Sequence, residues 1–133
     1  MPIVVDCSVA AAWALADERT AWTSAALQSA TAEGAIVPSL FWYEIRNILV
    51  VNERRGRIGP SQSERFLADV GPLADIDPQP VESNVLQLAR AYHLTVYDAS
   101  YLELARRLEL PLCTLDKQLA EAASKIGVML WQP

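Results

Sequence analysis

The chain has 133 residues, 52% of them apolar, and a formal net charge of −5. Such a length fits one domain, 1–133, burying roughly 68–70% of its unfolded surface, and the apolar share excludes a disordered chain. The acidic balance excludes a broad basic face for nonspecific nucleic-acid binding, but not an enzyme that meets phosphate through a bound cation and a local arginine patch.

From the N-terminus, Ile3 to Val5 reads as a short buried strand and Ser8 to Ala16 as an Ala-rich helix. A second helix spans Thr20 to Thr31, Glu33-Gly34 stops it, and Ala35 to Val37 forms a strand ending at Pro38. Ser39 is expected to cap a long helix reaching about Glu53. The segment Arg54 to Pro60 reads as a turn, and Ser61 with Glu64 as the capping box of the next helix. Ile76 lies in a short extended piece, and Val81 to Tyr92 is helical with Val85, Leu88, Ala89 and Tyr92 on one face. Asp98 to Leu108 is helical, Leu112 to Leu115 a strand, Leu119 to Lys125 a helix, and Val128 to Trp131 a closing strand. Arg106 and Arg107, interleaved with Glu103 and Glu109, read as an exposed helix face. Short apolar strands alternating with helices indicate an α/β fold, a parallel sheet covered on both faces.

The apolar N-terminus carries no Lys or Arg, and Asp6 interrupts it, so no signal peptide is expected. No apolar run approaches the roughly 20 residues of a membrane span, and the expectation is a cytoplasmic protein with no membrane contact. Cys7 and Cys113, without CxxC spacing, read as two buried reduced thiols rather than a disulfide.

Four carboxylates stand where a solvated surface acid is out of place. Asp6 follows Ile3-Val4-Val5, Asp116 ends Pro111 to Leu115, and Asp98 opens a helix. In parallel α/β sheets ligands gather at the carboxyl ends of strands, where Asp6 and Asp116 fall. Helix capping explains these three equally well. Glu44 breaks the tie, because it lies mid-helix within Leu40-Phe41-Trp42-Tyr43-Glu44-Ile45, where capping has no role. A rim position beside water or an arginine is the plain alternative. An ionised carboxylate on a core-facing stripe costs several kcal/mol unless compensated. Asn47, three residues on, is placed to orient it. Clustered carboxylates repel each other, and a hard cation such as Mg²⁺ or Mn²⁺ relieves the repulsion.

The motifs Val5-Asp6-Cys7-Ser8, Glu44-Ile45-Arg46-Asn47, Tyr97-Asp98-Ala99-Ser100-Tyr101 and Thr114-Leu115-Asp116-Lys117 occur in order along nearly the whole chain. In this the chain resembles the PIN-domain nucleases, and in particular the toxin half of VapBC toxin–antitoxin pairs. That resemblance implies a three-layer α/β/α sandwich around a short, mainly parallel sheet. It implies Asp6, Glu44, Asp98 and Asp116 as the catalytic, metal-binding acids, supported by Ser8, Asn47 and Thr114. It also implies an Mg²⁺-dependent (or Mn²⁺-dependent) endoribonuclease hydrolysing RNA through a metal-activated water, self-pairing as a homodimer and neutralised by a cognate antitoxin protein.

Trp13, Trp22, Phe41, Trp42 and Tyr43 are more large aromatics than a small core obviously needs. An apolar groove between the first helices and the Ser39 helix is therefore expected to seat an amphipathic antitoxin segment. Arg54, Arg55 and Arg57 either contact RNA or form a solvated helix end. His93, the only histidine, reads as an ordinary helix-end residue. A haloacid-dehalogenase-type phosphatase would need a second Asp where Ser8 stands, and a receiver domain would need an adjacent acidic pair. A non-catalytic module whose acids bind a partner's arginine is the remaining alternative.

Overall fold

A computed structural model of the chain describes residues 1–77 and 81–133. In chain order the elements are β1 (Ile3–Val5), α1 (Cys7–Ala14), α2 (Ala21–Glu33), β2 (Ala35–Pro38), α3 (Leu40–Arg54) and α4 (Pro60–Val70). Then follow β3 (Ala74–Asp77), α5 (Glu82–Tyr92), α6 (Val96–Leu108), β4 (Leu112–Cys113) and α7 (Lys117–Lys125). The strands make one parallel sheet in the order β3-β2-β1-β4. Its central strand β1 is buried at every residue, which is why Ile3-Val4-Val5 shows no alternation.

Chain direction decides the layers. The crossovers from β1 to β2 and from β2 to β3 move outward, and the return from β3 to β4 runs back. Right-handed connections therefore put α1 to α4 on one face and α5 and α6 on the other. The packing agrees: α1 meets α2 and α3, while α6 lies against α5, β1 and β2. Small residues make the close approach of α1 feasible, with Val9, Ala10, Ala11 and Ala12 all buried. Gly34 turns α2 into β2 at φ 90°, a conformation that strains any residue with a Cβ. Because the strands are parallel, the helices that directly follow β1, β2 and β4 all begin at one edge of the sheet. The antiparallel return of α6 brings its N-terminus to that edge too.

Beyond shifted element ends, with α1 stopping at Ala14 rather than Ala16 and β4 at Cys113 rather than Leu115, four sequence expectations change. The fourth helix starts at Pro60 rather than after Ser61, with Gln62 Oε1 accepting the Gly59 N–H at 2.9 Å. Proline at the first helical position is already set to helical φ and has no N–H to satisfy. Ser39 stands at the start of α3 but makes no side-chain capping bond. The closing strand shrinks to one bridge, Leu112 to Leu130, while Trp131 packs edge-on against Trp22 at 5.3 Å.

The fourth correction concerns α6. Arg106 and Glu109 are exposed as expected, but Glu103 is 1% exposed and Arg107 reaches into the structure. Arg107 Nε donates to Glu103 Oε1 at 2.6 Å, and its Nη2 donates to Asp77 Oδ2 at 2.5 Å. Glu103 Oε1 also accepts from the Val81 N–H at 3.4 Å. One partly buried ionic knot, with Glu103 at its inner end, thus ties α6 to the end of β3 and the start of α5.

Candidate metal centre

The chain leaves β1 toward β2 and comes back to β4 on its other side. The gap beyond the carboxyl ends of β1 and β4 is thus the topological switch point of the sheet, where open α/β folds place ligands. Asp6 follows β1 directly, and Thr114 and Asp116 follow β4.

Asp6 is 4% exposed and caps α1. Its Oδ1 accepts from Ser8 Oγ at 2.5 Å and from the Val9 N–H at 3.3 Å, and its Oδ2 accepts from Thr114 Oγ1 at 2.5 Å. The two hydroxyls form a clip. Ser8 Oγ accepts the Leu115 N–H at 3.0 Å and Thr114 Oγ1 accepts the Asp116 N–H at 2.9 Å, so each hydroxyl is oriented to donate its own O–H in a hydrogen bond to Asp6. Burial is the main influence on Asp6 and outweighs these bonds, which favour the charged form. Its pKa is pushed up to about 6.

The other acids are linked to it through Asp98. Glu44, half-buried in the second turn of α3, accepts from the Tyr101 hydroxyl at 2.7 Å. Burial and then the charge of Asp98 hold Glu44 above the usual carboxylate range, against the Tyr101 bond. Asp98 lies in the first turn of α6 and is raised by burial and by Asp116. Asp116 caps α7, accepting the Leu119 N–H at 3.0 Å. The capping role expected for Asp6 and Asp116 is thus observed at both. At α6 the cap is instead Thr95, whose Oγ1 accepts the Asp98 N–H at 3.0 Å.

Asp98 is the electrostatic centre, its charge felt by both Asp6 and Glu44 while it feels Asp116. Among the described residues no three His, Cys, Asp or Glu side chains stand close enough together to cage one ion. Mg²⁺ keeps several waters and takes one or two carboxylates plus substrate phosphate, whereas structural zinc needs a closed set of four ligands. The donors are all hard oxygens, and burial first, then a neighbouring acid, raises the proton affinity of Asp6, Glu44 and Asp98.

Several expectations about neighbouring residues are corrected. Asn47 is exposed and makes no hydrogen bond to Glu44, whose partner is Tyr101. Trp13 is 4% exposed with Nε1 donating to the Thr23 carbonyl at 2.8 Å, and Phe41 is 7% exposed, so both are core residues. Of the groove expected between the first helices and the Ser39 helix, the α1 side is occupied by direct packing of α1 on α3. Trp42 and Tyr43 remain exposed, and Trp42 lines a cavity of about 200 Å³ with Phe41, Ile45, Leu67, Val70 and Ile76. Arg54 and Arg55 are exposed, but Arg57 binds Asp17, Glu18 and Asn52 and is already engaged within the fold. His93 is the left-handed end of α5, exposed, with φ 53°. Both cysteines are free and buried, and burial pushes the Cys113 thiol up to about 12 and that of Cys7 higher than an ordinary thiol.

The PIN domain family model matches residues 3–125, a span that holds all four acids. Ribonuclease VapC3 of Pyrobaculum aerophilum is 32% identical over 125 residues, covering 91% of this chain and 94% of that protein. The crystal structure of PAE2754 from Pyrobaculum aerophilum is similar with a TM-score of 0.74 and 28% identity, covering 92% of this chain and 86% of that one.

Proposed function

This chain belongs to the PIN domain family, and from that premise we propose that it is a Mg²⁺- or Mn²⁺-dependent endoribonuclease, the toxin of a toxin–antitoxin pair. The observation that carries the reading is Asp6: a buried carboxylate at the switch point of the sheet, gripped by Ser8 and Thr114 and coupled to Asp98. A bound divalent ion would supply positive charge to the phosphate and a more acidic water. In this reading one or two of Asp6, Glu44, Asp98 and Asp116 would ligate the ion directly and the others through its waters, with Ser8 and Thr114 fixing Asp6.

The chain's own groups favour hydrolysis over a covalent intermediate. The Ser8 and Thr114 hydroxyls are engaged as hydrogen-bond donors to Asp6. Cys7 is buried with its thiol pKa raised, the opposite of an activated nucleophile. The N-termini of α1 and α7 open at the site edge, and helix N-termini stabilise anionic groups. A phosphatase of the haloacid-dehalogenase type is disfavoured, since Ser8 is committed to orienting Asp6.

The similarity to a VapC ribonuclease supports RNA as substrate and a small antitoxin as partner. Trp42 and Tyr43, with the apolar cavity beside α3, offer a surface for an antitoxin segment or a second copy. No described helix is long and apolar enough to cross a membrane.

Purified protein free of its partner is expected to cleave total RNA with Mg²⁺ and to stop on addition of EDTA or of an equimolar antitoxin. Cleavage that survives EDTA would remove the metal from the account. The same preparation should scatter light as a dimer at micromolar concentration, and a strict monomer would remove the self-pairing.

A further inference from the structure

Tyr101 belongs to none of the four acidic positions, yet it touches more of the site than its place in a helix explains. It is 1% exposed, one turn beyond Asp98 on α6, and its hydroxyl donates to Glu44 Oε1 at 2.7 Å. The same oxygen lies 3.5 Å from Cys7 Sγ, at the start of α1 next to Asp6. A phenol has one proton. With that proton given to Glu44, the Cys7 S–H donates into the phenolic oxygen. The result is a directed chain, Cys7 to Tyr101 to Glu44.

That chain links three acid-bearing helices: α1 behind Asp6, α6 bearing Asp98 and α3 bearing Glu44. Glu44 needs such a tether. Its side chain is half-buried on α3, Asn47 makes no bond to it, and Asp98 repels it. Without a donor it would be free to turn toward water. We propose that Tyr101 is the positioning residue of the metal centre, its hydroxyl holding the Glu44 carboxylate toward Asp98.

This inference rests on the metal reading above and adds a residue to it. Phenylalanine fits the same space without the hydroxyl, so Tyr101→Phe should fold, as a melting curve will show. Calorimetric titration with Mn²⁺ compares wild type, Tyr101→Phe, Glu44→Gln and the double variant. Removing an orienting partner behind a metal ligand typically costs about 10–100-fold in affinity, and that loss is expected for Tyr101→Phe. In the Glu44→Gln background the second change should cost nothing more, because the tether then has nothing to aim. A structural role alone would give the same further loss in both backgrounds. Equal Mn²⁺ affinity of Tyr101→Phe and wild type, or additive losses, would overturn the inference while leaving the metal site standing. A wild type that binds no divalent ion would overturn both together. If Tyr101→Phe does not fold, the wild-type protein still decides. The ring resonances of Tyr101 should shift in the NMR spectrum as Mg²⁺ saturates the site, and unmoved resonances overturn the assignment.

Discussion

Asp6→Asn is expected to reduce RNA cleavage by more than about 100-fold, since several kcal/mol of metal-borne charge stabilisation are at stake and each 1.36 kcal/mol is tenfold in rate. The same variant should be more stable than wild type when metal is absent. The Asp6 pKa rises from 3.8 to about 6 on folding. A raised folded-state pKa favours the protonated form, so its contribution is fully present below pH 4 and is lost as pH rises through 6. By pH 8 the buried charge costs the metal-free fold about 3 kcal/mol, at 1.36 kcal/mol per unit. Asn keeps the shape and removes that cost, while disturbing the bond from Thr114. Part of the difference should therefore appear as a melting temperature raised at pH 8 and little changed at pH 4. An Asp6→Asn protein with full activity, or with a lower melting temperature at pH 8, would contradict the role given to this residue.

Arg107→Leu is expected to lower unfolding free energy by about 3–5 kcal/mol, the usual consequence of stranding a buried charge. The Glu103 side chain is 2% exposed, and Arg107 is its ion-pair partner as well as that of Asp77. Replacing Glu103 and Arg107 together by leucine should restore most of the loss, because an apolar pair leaves neither charge stranded. Urea unfolding measures both variants. A single-variant loss below about 1 kcal/mol would mean that water reaches Glu103 and that the knot adds little. The effect bears on the site through position, because Glu103 lies two residues beyond Tyr101 on α6.

The parallel sheet was legible in the sequence because β1 and β2 are runs of apolar residues buried almost throughout. Asp6 and Asp116 stood out for the same reason, as acids ending such runs. Glu44 stood out because helix capping cannot explain an acid there. The partner of Glu44 was not legible. Asn47 lies three residues on, which is 60° around a helix, enough to move from the half-buried face to solvent. Tyr101 in an apolar helix reads as core, and its hydroxyl finds Glu44 only through the approach of α6 to α3. Glu103 carried the signal that exposed Glu44, an acid between Leu102 and Leu104. The neighbouring Arg106, Arg107 and Glu109 masked it by suggesting a solvated face. Counting aromatics could not separate the core residues Trp13 and Phe41 from the exposed Trp42 and Tyr43.

The metal site is tested most directly by anomalous scattering from a crystal soaked in Mn²⁺. The account predicts a peak at the edge beyond β1 and β4, with carboxylate oxygens of Asp6 and at least one of Glu44, Asp98 and Asp116 at coordination distance, about 2.1 Å. A Mn²⁺ peak held by other residues, or none at saturating metal with the four carboxylates unmoved, would contradict it.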